Sequence, residues 1–337
     1  MHGRLYNQAT FHIALRPRTP LLIKAGQGQE ALDPTLPDMS FVRTLRGGTG
    51  EPREEIFIPG SSLRGVVRAH AERLLRTVKP GAACNPLVRD PQKSGTLRPA
   101  CSPEGRNEDE DDEGRQSRAG APQAYQQSCY ACRLFGNTSI ASRVRFSDFF
   151  LAGAGEAAAA GVPAPLTETR YGVAIDRVTG AVAHGPFELE TVTDALFTGL
   201  VEVRNFTVGQ FGLLAAALLD LSDGYVAMGY GKSRGLGLVE LIFLNLKLRY
   251  GPRTPLEPRR LWGVGDLAPA EVLEAYGLRK LAQHDHLEID APAGDSQTAS
   301  SGELTTAPRF LATIELKGEQ VRSLLEKATS RWVEEVQ

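Results

Sequence analysis

Cysteine is scarce, with four in 337 residues. That is too few for a disulfide scaffold and points to a reducing cytoplasm. No run of 18 apolar residues occurs, so a membrane-spanning helix is excluded and no membrane partner is expected. Residues 1–10 are polar and lack the apolar core of a signal peptide. Net charge is almost absent, since 38 Lys and Arg against 40 Asp and Glu leave −2. The balance hides an asymmetry. Up to residue 250 there are 28 basic and 26 acidic side chains, and six of the acidic ones form one block at 108–113. From residue 251 the count reverses to 10 basic and 14 acidic. Lysine is scarce as well, 8 against 30 arginines. Arginine offers a planar fork that suits phosphate and a face that stacks on bases. A genome rich in G and C would produce the same bias.

What is present suffices for a sizeable core: 42% hydrophobic and 23% charged residues. The length fits two domains, or one with large insertions. In residues 9–24, Phe11, Ile13 and Leu15 alternate with His12, Ala14 and Arg16, which predicts a strand with one buried face. Residues 25–55 read as a long loop and 56–60 as a short strand ending in a turn. Ser61 and Ser62 then offer N-caps to a helix. Its face carries Leu63, Val66, Val67, His70, Ala71, Leu74, Leu75 and Val78, with Arg64, Arg68, Arg73 and Arg76 largely off it, and Lys79-Pro80-Gly81 stops it. Residues 81–128 read as an insertion whose middle, 103–124, is disordered. Residues 143–152 read as a strand, 153–165 as a flexible linker and 166–186 as a projecting hairpin, and 187–204 carry strand pattern, most clearly in Leu200 to Val203. A second, strongly apolar helix spans 208–221, and a Gly-rich stretch leads into a strand by residue 250. Strand, helix, strand, strand, helix, strand is the βαββαβ order of an α+β, ferredoxin-like fold. Residues 251–337, with a helix near 269–283, a strand at 309–316 and a helix at 318–335, read as an accessory region.

Five segments carry candidate chemistry. At 58–75 a strand end, a glycine turn and a helix start offer free backbone N–H groups and the positive end of a dipole to an anion. Arg64 and Arg68, one turn apart, can point side by side at a phosphate chain; the alternative is an ordinary helix with solvated arginines. At 229–241 four glycines surround Lys232, Ser233 and Arg234. Glycine lets a backbone approach a phosphate closely, although neither the Walker A nor the Rossmann spacing is met; a hairpin with a basic tip is the alternative. Cys129 and Cys132 form a C-x-x-C pair, with 27 residues between Cys101 and Cys129 and 16 between Cys84 and Cys101. Four thiolates complete a tetrahedral zinc site, and a weakly apolar insertion would gain from a structural zinc staple. His70 is the reserve ligand. At 132–150 Arg133, Arg143 and Arg145 interleave with Leu134, Phe135 and Phe146, a pattern that suits single-stranded nucleic acid or, equally, a strand with a solvated basic face. At 170–185, Asp176 to Gly180 reads as a turn tip, and His184 stands alone.

Taken in order, Ile58-Pro59-Gly60-Ser61-Ser62-Leu63-Arg64-Gly65, Cys132-Arg133-Leu134-Phe135-Gly136, Ile175-Asp176-Arg177-Val178-Thr179-Gly180 and Gly229 to Gly237 resemble the RAMP superfamily, specifically the backbone subunits of type III CRISPR–Cas effector complexes. The resemblance covers roughly residues 10–245. It implies an RRM-like palm and a thumb hairpin around Ile175 and Arg177 that wedges between bases of a guide–target duplex. It also implies a crRNA path along the Gly-rich segment and the Ser61-Ser62-Leu63-Arg64 helix start. In cleaving members an Asp in the loop before the I-P-G-S-S motif serves target-RNA cleavage with a divalent metal such as Mg²⁺. Asp38 matches best, because Phe41, Val42 and Arg43 follow it; Asp33 is second. An acidic loop residue is also an ordinary turn-former. The implied partners are crRNA, target RNA, a large polymerase-like subunit, a small subunit and other RAMP subunits. The alternatives are a purely structural RNA-binding subunit and a stand-alone endoribonuclease that processes crRNA precursors. The latter would want a His or Tyr near the Gly-rich loop, where Tyr230 stands.

Overall fold

The computed structural model of the chain describes residues 3–25, 37–47, 52–88, 98–101, 120–153, 161, 165–251, 259–290, 305–306 and 312–337. Strand β1 (Asn7–Pro17) puts Phe11, Ile13 and Leu15 into the core, as the alternation predicts. It lies between β9 (Val239–Tyr250) and β8 (Phe197–Arg204), antiparallel to both. On its far side β8 pairs with β4 (Val144–Phe146) and β5 (Phe149–Leu151). With α1 (Gly60–Val78) and α4 (Val208–Ser222) these strands complete the βαββαβ unit, all neighbours antiparallel, in a mixed α+β fold consistent with an RRM-like palm.

The sheet is wider than that unit, with nine strands among the described residues. Its order is β12 (Thr305–Thr306), β13 (Ala312–Lys317), β9, β1, β8, β5, β3 (Arg53–Ile58), β2 (Arg43–Arg46), and β4 pairs with β8 off this path. The stretch 25–55 is therefore not all loop: β2 and the start of β3 form a hairpin in it. The expected strand at 143–152 divides at Ser147 and Asp148 into β4 and β5. Of the residues read as a disordered stretch, 121–124 enter α2 (Ala121–Gln127) with Gly120 at its N-cap, while 102–119 lie outside the described residues. The hairpin β6 (Leu166–Ile175) and β7 (Val182–Asp194) forms a separate two-stranded sheet.

Helix α1 corrects the expected cap. It begins at Gly60, so Ser61 and Ser62 lie inside the first turn, and the ring of Pro59 at the N-cap has no acceptor to offer. The Gly60 N–H instead donates to Asp148 Oδ1 at 2.8 Å. A Cβ at Gly60 would lie 2.5 Å from the Phe146 carbonyl oxygen, which is why a glycine opens the helix. Helix α4 is buried on nearly all sides. A helix apolar all round must be covered all round, and the C-terminal segment supplies the cover. There β13 extends the sheet through β9, and α7 (Glu319–Ala328) and α8 (Arg331–Val336) pack on α4. Ile314, Leu316, Leu325 and Trp332 join the same core as Phe11 and Phe211. The predicted helix at 318–335 breaks at Thr329 and Ser330. Residues 264–275 form two short helices, α5 (Val264–Leu267) and α6 (Ala270–Ala275). Among the described residues no helix is long and apolar enough to cross a membrane.

Candidate nucleic-acid interface and cysteine centre

The four cysteines meet. Cys84 follows the turn after α1, and Cys129 is the N-cap of α3 (Tyr130–Phe135), which holds Cys132. The sulfurs of Cys84, Cys101, Cys129 and Cys132 all lie within 4.8 Å of one another, and those of Cys84 and Cys132 are 3.7 Å apart. Thiolates about 2.3 Å from a central tetrahedral ion stand ~3.8 Å from each other, so the spacing fits. Backbone N–H groups already point at the sulfurs: Cys84 N donates to Cys129 Sγ at 3.4 Å, Cys129 N to Cys101 Sγ at 3.2 Å and Cys132 N to Cys129 Sγ at 3.4 Å. Hydrogen bonding among the sulfurs, first with Cys101, pulls the Cys84 thiol down. The Cys101 thiol falls to about 7, chiefly through Cys129. Cys129 and Cys132 are pushed up, chiefly by Cys101. Four thiols this close cannot all ionise without a cation among them. The donor set is all sulfur and mostly buried, so the site could hold a metal such as zinc. His70 is not a fifth candidate; its Nε2 lies 2.5 Å from Asp220 Oδ2.

Two arginines of α1, Arg64 and Arg68, face this centre. Arg64 Nη2 donates to the Phe135 carbonyl at 2.5 Å. Arg68 donates to Glu72 Oε1 at 2.9 Å, to the Gly136 carbonyl at 3.1 Å and to Cys132 Sγ at 3.6 Å. Both line a cavity of about 360 Å³ beside the sulfurs, together with Asn137, Thr138 and Ser142. Burial, then the neighbouring Arg68, lowers the Arg64 pKa. Ser61 is exposed and Ser62 half-buried on the first turn.

Two arginines leave the expected nucleic-acid face. Arg143 is buried, donating to the Asn205 carbonyl at 2.5 Å and Gln210 Oε1 at 3.0 Å, with its guanidinium 4.5 Å from the Tyr125 ring centre. Arg133 is half-buried and clasps the end of α2 through the carbonyls of Tyr125, Gln126 and Ser128. The interleaving of basic and apolar residues at 132–150 thus serves packing at these two positions.

The Gly-rich segment does present its donors. Gly229 (φ +79) lets Tyr230 N reach the Leu22 carbonyl at 2.7 Å; a Cβ there would sit 2.4 Å from that oxygen. Lys232, Ser233 and Arg234 form an exposed single turn between Gly231 and Gly235, both left-handed. The Arg234 guanidinium lies 5.3 Å from the Tyr230 ring centre and donates to its hydroxyl at 3.2 Å. Arg234 Nη1 would also stand 3.6 Å from a Cβ on Gly172, so loop and hairpin converge.

The hairpin β6–β7 is exposed and apolar towards its tip. Tyr171 is 68%, Ile175 62% and Val178 94% exposed. The Asp176 carboxylate accepts from Val178 N, Thr179 N and Thr179 Oγ1, and the Thr179 N–H above all lowers its pKa. Arg177 extends from this turn into solvent. Midway along β7, Glu188 N donates to Oδ2 of exposed Asp38 at 3.0 Å. Phe41 N donates to Glu190 Oε2 at 2.9 Å, and Arg43 grips both oxygens of Glu190, so the Asp38 loop is docked on β7. The Arg43–Glu190 lock joins residues far apart in sequence and no spacing announces it. The run Arg68, Glu72, Arg76 at intervals of four was legible as a helical ion-pair series. Asp33 lies outside the described residues.

No curated protein matches the chain. A sequence model of the RAMP superfamily matches residues 15–240, from the end of β1 to the start of β9, and so takes in α1, the cysteine centre, the hairpin and the Gly-rich loop. With about two thirds of its length matched, the chain belongs to the RAMP superfamily.

Proposed function

We infer that this RAMP protein, from a superfamily whose CRISPR-associated members bind RNA, is a backbone subunit of a type III effector complex that holds crRNA and its target. The observation that carries the reading is the convergence of the exposed Lys232-Ser233-Arg234 turn with the exposed apolar hairpin at Gly172. A turn of main-chain amides and cations suits a ribose-phosphate strand, and Tyr171, Ile175 and Val178 suit stacked bases. The crRNA path then involves Lys232, Ser233, Arg234, Ile175 and Arg177. Four-cysteine zinc binding staples the palm. The partners are the other RAMP subunits, the large polymerase-like subunit and the small subunit.

Target cleavage asks little of the protein. RNA supplies its own 2′-hydroxyl as nucleophile, so alignment of a splayed nucleotide does most of the work. Asp38 sits midway along the hairpin with Oδ2 held by Glu188 N, and its Oδ1 has no hydrogen-bond partner among the described residues. It is the group we assign to orient that hydroxyl. A divalent ion such as Mg²⁺ would offset charge on the phosphate.

The test is ultraviolet crosslinking of the native complex with peptide mapping. Crosslinked RNA should map to residues 229–237 and 170–182 and share a repeated 5′ sequence; protein free of any polynucleotide would sink the reading. In the reconstituted complex Asp38→Ala should abolish target cleavage with guide binding intact. Unchanged cleavage at every site would leave a structural RNA-binding subunit. Cleavage of guide precursor by the isolated chain would instead mark a processing nuclease.

A further inference from the structure

Helix α1 carries Arg68, Glu72 and Arg76 at intervals of four, so the three side chains follow one another along one face. Glu72 is buried at 9% exposure, and a buried carboxylate must be paired. Both arginines pair it, Arg68 Nε to Oε1 at 2.9 Å and Arg76 Nη2 to Oε2 at 3.1 Å. Each arginine then reaches one half of the cysteine set. Arg68 Nη2 donates to Cys132 Sγ at 3.6 Å, and its Nη1 holds the Gly136 carbonyl that ends the C-x-x-C helix. Arg76 Nη2 holds the carbonyl of Cys84 itself at 2.6 Å. Cys84 and Cys132 are 48 residues apart in sequence, and one salt-bridged face of α1 fixes both. Side chains committed in this way have few donors left for a phosphate strand.

We propose that Arg68, Glu72 and Arg76 are the outer sphere of the cysteine centre, positioning Cys84 and Cys132 for a bound zinc ion. The proposal rests on reading the four cysteines as a metal site. Four thiolates outweigh the charge of a dication, and a triad with one net positive charge offsets half of the surplus. Donors to ligand sulfur and to the ligand backbone orient the ligands as outer-sphere partners do elsewhere. Arg68 is thereby a positioning residue of the metal centre rather than an RNA ligand, which revises the role its sequence position suggested.

The experiment is competition for zinc between the full-length protein and a chromogenic chelator, with folding followed by circular dichroism. Arg68→Gln and Arg76→Gln should each weaken zinc retention about 10–100-fold. Arg68→Lys should fall between, because it keeps the charge and loses the fork. Arg73→Gln, an exposed change on the same helix, should match wild type. Should Arg76→Gln fail to fold, the two Arg68 variants still decide the matter. Wild-type competition curves for both Gln variants would overturn the proposal. So would Arg68→Gln protein that retains zinc normally and loses RNA affinity. Wild-type protein that takes up no zinc would overturn the metal reading, and this proposal with it.

Discussion

Gly229 shows how much of the candidate interface hangs on single backbone positions. Its φ of +79 and the Leu22 carbonyl 2.4 Å from any Cβ leave no room for a side chain. Gly229→Ala should therefore cost about 1–3 kcal/mol of stability and weaken RNA binding by displacing the Lys232-Ser233-Arg234 turn. Lys232→Ala touches only an exposed cation. It should keep stability within about 0.5 kcal/mol while flattening the salt dependence of RNA affinity by roughly one phosphate contact. Chemical denaturation and salt-titrated binding separate the two, and equal stability loss in both variants would refute this reading of the loop. The glycines and basic residues of this turn were legible because they are consecutive. Arg143 was not. Its neighbourhood in sequence is that of a basic strand, but its partners Tyr125, Asn205 and Gln210 come from three other segments. Spacing within one segment carries no record of partners contributed by others.

At the scale of elements, the hairpin was legible in position and not in length. Its turn is written in Asp176 to Gly180, and β7 runs on to Asp194. The second half of β7 is buried because Leu189 and Val192 bridge to Met39 and Leu21, contacts that only the folded palm provides. The first half and all of β6 stand clear of the core, and Tyr171, Val173, Ile175, Val178 and Val182 are exposed. An apolar run left in water is informative because folding gains nothing from it. Tyr171→Ala should leave the melting temperature unchanged and lower RNA affinity by about 1–3 kcal/mol, the range of one lost stacking platform. Filter binding at fixed salt measures the loss. A fall in melting temperature with full RNA affinity would make the tyrosine structural and remove it from the interface.

At the scale of the whole molecule, the C-terminal segment is tied to the palm at the N-terminus of α4. Nothing in the local sequence of residues 251–337 points there, because β13 needs the free edge of β9 and α7 and α8 need the bare side of α4. Two carboxylates complete the tie. Asp285 accepts Val208 N and Gly265 N, each at 2.7 Å, and Glu335 Oε2 accepts Thr207 Oγ1 at 2.7 Å. A helix N-terminus favours acceptors, yet burial is the larger effect here. It pushes the Asp285 carboxyl up to about 7, with the two N–H donors opposing and Glu335 and Asp266 adding to the rise. Burial raises Glu335 in the same direction. A carboxyl whose pKa is higher folded than unfolded favours the folded state when protonated. Its stabilisation is complete below the ordinary carboxylate pKa near 4, drains away as pH rises, and is gone above about 7. Asp285→Asn keeps one acceptor for Val208 N or Gly265 N and cannot ionise. The expected result is a stability difference, wild type minus variant, that shrinks by a few kcal/mol between pH 5 and pH 7 in urea titrations. Taking the difference cancels the carboxylates common to both proteins. A difference that stays constant across this range, or grows with pH, would show that Asp285 is ionised throughout, held charged by the amides of α4 and α5 against the pull of burial.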